Sequence, residues 1–253
     1  MYICRFWLLS KNSSITAIEP IAYNTLNDKA TIPSTFFEIN DLIFELEKPR
    51  TDLDCVKHMV LWLYHHTKVG PGLSTSSDQA LKILLYGKGG VCSDIAQVFN
   101  NLCVINGIQV REWGTTSAPF NRTNGGHSFN EIFSKELQKW ILIDASWGML
   151  FYSEQSEPLS VIEVYKLSRN GQKVQHRSFV EDVIIDKEQV MRNYLNSNIV
   201  PFLICNYKNT TYDRFLKFGR PFVPVFIIHA TVLLLGKSYH YKFPLDDYKK
   251  IFS

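Results

Sequence analysis

From Thr51 onward the apolar positions fall into helical register. Val56, Met59, Val60 and Leu63 recur at spacings of three and four behind a Thr51 cap, which predicts an amphipathic helix over 51–66. The run Val69-Gly70-Pro71-Gly72 ends it, because glycine and proline break helical backbone. Ser76 followed by Gln79 has the spacing of a capping box and predicts a second helix through Leu85. After Gly87-Lys88-Gly89-Gly90 a third apolar stripe, Ile95, Val98, Phe99 and Leu102, runs to Asn106-Gly107. Beyond Gly107 the pattern turns to short β-rich pieces, 108–113, 128–133 and 140–143, separated by turn residues. Helices followed by a meander predict an α+β domain, with N-terminal helices packed on an antiparallel β-sheet.

The flanking regions are less regular. Residues 1–50 hold short apolar pieces punctuated by Pro20, Pro33 and Pro49, and are read as an N-terminal segment packing on the core. The core is placed at 51–175, and 176–253 is assigned as a C-terminal accessory region. Short helices are predicted over 188–195 and 212–218, and strands over 202–205 and 225–235. The apolar run 222–235 contains Pro224 and His229 and is too short to span a membrane, so it reads as a buried strand. Docking of this region on a partner protein is the secondary reading, and membrane attachment is not expected. A third possibility makes the C-terminal region a lid over a cleft.

Composition narrows the class. The chain has 253 residues, 45% of them hydrophobic and 20% charged, enough for a substantial buried core. Lys plus Arg number 27 against 24 Asp plus Glu, and the surplus of +3 is unclustered, which argues against a nucleic-acid partner. Five cysteines, Cys4, Cys55, Cys92, Cys103 and Cys205, are scattered without a CxxC pair, so reduced thiols and a cytoplasmic location are expected. Residues 1–10 lack the apolar stretch and small-residue site of a secretion signal. Cys55, His58 and His65 could share a helix face, but without a fourth ligand no metal site is expected. Gly87-Lys88-Gly89-Gly90 lacks Walker spacing, no calcium loop is present, and no cofactor is implied.

Three residues carry the chemistry. Cys92 falls in the first turn of the third helix, where unpaired backbone N–H groups and the positive end of the helix dipole favour thiolate over thiol. Neighbouring glycines let backbone approach closely and leave the thiol at a cleft. A thiolate that cleaves an amide needs a base able to protonate the leaving amine. His127, which follows Asn124-Gly125-Gly126 and opens a strand, suits that task. The imidazole needs an acceptor to fix its tautomer, and Asp144 closes the strand Trp140-Ile141-Leu142-Ile143-Asp144.

Together these residues resemble the transglutaminase-like superfamily, papain-like enzymes with Cys on a helix and His and Asp on adjacent strands. Gly89-Gly90-Val91-Cys92-Ser93-Asp94-Ile95-Ala96 is similar to the family's Gly-x-Gly-Val-Cys-x-Asp-Phe-Ala helix start, and His127-Ser128-Phe129-Asn130-Glu131 to its His-Ala-Trp-Val-Glu. The stretch from Lys139-Trp140 to Asp144-Ala145-Ser146-Trp147 is similar to its Trp-x-x-x-Asp-Pro-Thr segment. Asn130 and Ala145-Ser146 depart from the pattern. The resemblance implies a papain-like core and thiol-dependent acyl transfer on an amide or peptide bond, with Cys92 as nucleophile, His127 as base and acid, and Asp144 as orienter. Water as acceptor makes a protease or amidase; an amine makes a crosslinker. The substrate would be a peptide or protein amide. Cys92 N–H is one oxyanion donor, Tyr86 and Gln79 are candidates for a second, and Trp147 is a candidate wall of the substrate channel. The alternative is a catalytically silent module that holds a peptide or protein partner in the same cleft.

Overall fold

The computed structural model describes residues 2–181 and 185–253, with side chains from residue 6 onward. Helices α1 (Tyr2–Leu9), α2 (Ile15–Ile18) and α3 (Ser34–Ile43) precede the three that the stripes predict: α4 (Asp52–His66), α5 (Ser77–Tyr86) and α6 (Cys92–Ile105). Thr51 caps α4, its hydroxyl accepting from the Asp54 N–H at 3.1 Å. The capping box at α5 does not form. Ser76 Oγ donates instead to Asp78, Gln79 pairs with Thr75, and the Ser77 N–H is taken by Asp213 at 2.8 Å. A carboxylate from a distant part of the chain thus replaces the local cap that sequence spacing offered.

The strands are β1 (Ser10–Asn12), β2 (Val110–Ser117), β3 (Ser128–Ser134), β4 (Lys139–Asp144), β5 (Met149–Tyr152), β6 (Gln175–Ser178), β7 (Ile199–Cys205) and β8 (His240–Phe243). Among the described residues they form one eight-stranded sheet in the order β1-β8-β7-β2-β3-β4-β5-β6. Its neighbours run antiparallel apart from β1, which pairs parallel with β8 at the edge. The order sets β7 beside β2 in the middle of the sheet; residues from 175 onward supply three strands, and residues 10–12 a fourth.

Strand alternation divides the core in two. On one face Val110, Ile132, Ile141 and Ile143 pack with the apolar stripes of α3 to α6, including Phe36, Met59 and Phe99. On the other, Trp113, Phe129, Leu142 and Phe151 pack with α7 (Val161–Arg169) and with Tyr194. Helices therefore cover both faces of the mixed α/β fold. Buried Arg111 ties the N-terminal segment to the second face. It donates to the Ile18, Glu19 and Ile21 carbonyls, pairs with Glu131 at 3.3 Å and lies over the Trp140 ring.

The remaining helices are α8 (Lys187–Val190), α9 (Asn209–Gly219) and α10 (Val225–Leu234). Helix α10 overturns the strand predicted for 225–235. Its residues are apolar all round, so no period was visible, and Pro224 sits at the N-cap, where proline starts a helix more readily than it enters a sheet. Only the Ile228 and Val232 face is buried, with Tyr212 and Leu216 of α9. Phe226 and Leu234 are exposed, so the expected burial is also corrected. No helix among the described residues is long and apolar enough to cross a membrane.

Candidate active site

The α5 to α6 turn explains the position of Cys92. Gly90 N–H donates to the Lys68 carbonyl at 3.0 Å, and Gly70 N–H donates to the Gly90 carbonyl at 2.9 Å. Two backbone segments cross here at contact distance. A Cβ on Gly89, whose φ is +76°, would sit 2.2 Å from the Lys68 oxygen. The glycines thus serve the approach of 68–70 to the turn, where the sequence suggested approach to a substrate. Asp94 locks the other side, its Oδ2 accepting from Val91 N–H at 2.9 Å and Leu73 N–H at 3.2 Å. Cys92 then opens α6 half-buried, with its own and the Ser93 N–H bonded to no described residue.

The Cys92 sulfur accepts the Ser128 backbone N–H at 3.4 Å, which joins the start of α6 to the start of β3. The preceding residue, His127, is buried. Its Nε2 and Asp144 Oδ2 lie 2.7 Å apart, leaving Nδ1 for the thiol. Asp144 also accepts the Ser146 N–H at 2.9 Å and the Tyr194 hydroxyl at 2.6 Å. The imidazole is gripped by rings: Trp147 stacks on it with centroids 4.7 Å apart and planes 13° apart, and Tyr194 meets it edge-on at 5.7 Å. The structure therefore brings Cys92, His127 and Asp144 together.

The electrostatics follow from those partners. Burial acts to raise the Cys92 thiol, but the hydrogen bond and charge of His127 and the Ser128 N–H outweigh it and leave the thiol below its ordinary range. Burial acts to lower His127, while the Asp144 charge and hydrogen bond, and then Cys92, carry it well above the ordinary imidazole range. The two shifts favour a thiolate beside an imidazolium at neutral pH. The other described cysteines lie in the core: burial pushes Cys55 up to about 11 and also raises Cys103 and Cys205. Cys4 lies outside the described side chains.

Cys92 and His127 face a cleft of about 560 Å³. Its far wall comes from the C-terminal region through Phe202, Ile204, Tyr207 and Leu216, so this region forms part of the cleft. Gly114 makes room for that wall, since a Cβ there would lie 2.4 Å from the Phe202 ring. Tyr86 is 77% exposed and Gln79 is on the surface, and neither lines the cleft, so neither is placed to donate to an acyl oxygen. Trp147 packs behind His127 and does not line the cleft either. His58 donates through Nε2 to the Ile43 carbonyl at 3.0 Å, and no group of His, Cys, Asp or Glu among the described residues is arranged to hold a metal.

Three contributors escaped sequence reasoning. Tyr194 lies in a π-helical turn, Met191–Leu195, fifty residues beyond its partner Asp144, and no motif marks it. Gln97 and Glu112 line the cleft and are hydrogen-bonded to each other. Glu112 sits in β2, which is buried throughout although its sequence VREWGTTS is mostly polar, so no local pattern marked the carboxylate as buried.

No curated protein matches the chain. Among solved structures, a Cytophaga hutchinsonii protein provisionally described as a cysteine protease aligns at 18% identity and a TM-score of 0.35, over 67% of this chain and 58% of that one. So distant a likeness bears no functional weight. Residues 40–145, the stretch that carries Cys92, His127 and Asp144, match the family model of the transglutaminase-like superfamily.

Proposed function

We propose that the protein is a thiol-dependent enzyme that transfers the acyl group of an amide or peptide bond through Cys92, His127 and Asp144. The observation that carries this reading is the continuous chain of contacts from the Cys92 sulfur through the His127 ring to Asp144, opening on a cleft. The thiolate attacks the carbonyl carbon and forms a C–S bond. The negative oxygen then faces the free Cys92 and Ser93 N–H groups at the positive end of α6. The imidazolium gives its proton to the leaving nitrogen as the C–N bond breaks. Water or a second amine next attacks the thioester, His127 takes the proton, and the thiolate leaves. Asp144, held by Tyr194, keeps Nε2 protonated throughout, so that Nδ1 serves the sulfur.

The test needs no known substrate at its first step. Iodoacetamide near neutral pH, with mapping of labelled cysteines by mass spectrometry, is expected to modify Cys92 far faster than Cys55, Cys103 or Cys205. A screen of peptide and amide libraries with wild type and Cys92→Ala side by side then reads turnover. Equal labelling of all cysteines, with no turnover in wild type, would overturn the reading in favour of a silent binding cleft, and turnover that survives Cys92→Ala would overturn it by assigning the activity to other residues.

A further inference from the structure

Glu112 stands out among the cleft residues. It is 3% exposed on β2, and its Oε2 accepts the Asn100 amide at 3.1 Å and the Gln97 amide. No described residue donates to Oε1, and Glu112 lines the cleft. One carboxyl oxygen is therefore anchored by two amides, and the other is left to the cleft that Cys92 also lines.

Its surroundings are one-sided. Among the described residues, Cys92 and Asp94 from α6 act on it, and Tyr23 from the N-terminal segment and Tyr207 after β7 feel it; all four are acids. His127, His229, Tyr239 and Tyr241 also line the cleft. No Lys or Arg lines the cleft among the described residues. The His127 imidazolium is already matched by the Cys92 thiolate on one side and Asp144 on the other. Burial, with the charges of Cys92 and Asp94, pushes Glu112 up to about 8, the behaviour of a carboxyl without a counter-ion among its described neighbours. A buried charge needs a partner, and the side that the described residues leave open faces the cleft from which substrate arrives.

We infer that the cleft is built for a substrate carrying an alkylammonium group close to the attacked carbonyl, with Glu112 Oε1 as its acceptor. The inference names a substrate feature for the Cys92 site and rests on that reading. Glu112 is a specificity residue; the ammonium supplies both the missing hydrogen-bond donor and the missing positive charge, and a charge-assisted contact in a desolvated cleft is worth about tenfold or more in rate or affinity.

Thiol reagents of matched size test it without a known substrate. In alkyl methanethiosulfonates the Cys92 thiolate attacks the sulfenyl sulfur, a mixed disulfide forms and methanesulfinate leaves. The 2-aminoethyl, ethyl and 2-sulfonatoethyl reagents present a cation, a neutral group and an anion. Rates at Cys92 are read by mass spectrometry at pH 7.5 and normalised to free cysteine. The expected cation-to-neutral ratio in wild type is about tenfold above that of Glu112→Gln, with Glu112→Asp retaining a preference. Equal ratios in wild type and free cysteine would overturn the ammonium site even if neither variant folds. In that case fast labelling of Cys92 by the neutral reagent would leave the acyl-transfer reading standing. Slow labelling by all three reagents would instead remove the acyl-transfer reading, and the ammonium site with it.

Discussion

Adjacent residues on β2, Arg111 and Glu112, face opposite sides of the sheet, and the two sides treat buried charge differently. On the α7 side, Glu131 stands opposite Arg111 in the β2–β3 ladder and pairs with it, while accepting the Trp113 indole N–H at 2.9 Å and the Val161 N–H at 2.9 Å. On the α6 side, Glu112 stands opposite Asn130 and has only neutral amides for partners. Asn130 itself leaves its buried Oδ1 without a donor. The first arrangement is closed and ties the N-terminal segment and α7 to the sheet. The second is open toward the cleft. Two carboxylates one ladder step apart therefore differ in whether the chain supplies their counter-charge, and this separates a structural ion pair from a residue waiting for a ligand.

The sharpest way to break the contrast is to change one residue from each side and compare activity with stability. Cys92→Ser is expected to lower turnover by at least about 10³-fold, because it removes the nucleophile of a unit that acts as a whole, while leaving the thermal midpoint within a few degrees of wild type. Arg111→Met should do the reverse. It strands the Glu131 charge in the core and costs about 3–5 kcal/mol in a denaturant titration, with Cys92 labelling retained in the folded fraction. If Cys92→Ser unfolds the protein, or Arg111→Met leaves it unaffected, the division into a chemical side and a structural side fails.

His127→Gln probes the thiol from its neighbour. Without the imidazolium, burial is left to dominate Cys92, so the midpoint of its alkylation-pH curve should move up, and the rate at pH 7 should fall about tenfold or more. Glu112→Gln probes the open side through stability. A carboxyl held at about 8 in the folded chain against the ordinary value when unfolded favours the native state in acid and loses that contribution as pH rises toward 8. The variant lacks this loss, so its stability relative to wild type should grow between pH 5 and pH 8, by about 1–3 kcal/mol in thermal or denaturant unfolding. A difference that is flat with pH would mean that Glu112 is already ionised in the free protein. The smallest effect is expected from Tyr194→Phe, which removes one hydroxyl from Asp144 and should cost about 1 kcal/mol in unfolding while His127 keeps its acceptor.

The chain order made α4 and α6 readable because an apolar stripe at helical spacing survives in each, and the β2–β3–β4 meander readable as short β-rich runs between turn residues, although the sheet is buried on both faces. The same local logic misread two places. Ser76 and Gln79 have the right spacing for a cap, but Asp213 reaches the helix start first. The apolar run around α10 has no period at all, so nothing local distinguished strand from helix.

The chemistry divides in the same way. Local sequence alone placed a cysteine in a helix's first turn, a histidine after a glycine turn and an aspartate at a strand end, since backbone punctuation is a short-range property. Only the folded sheet decided that Ser128 N–H reaches the Cys92 sulfur, that Tyr194 reaches Asp144, and that Tyr86 and Gln79 face away. It also set β7 beside β2, and with that strand the far wall of the cleft and the isolation of Glu112. These contacts join residues tens of positions apart. No local pattern records them, because they are fixed by which strands become neighbours and which side chains are then removed together from water.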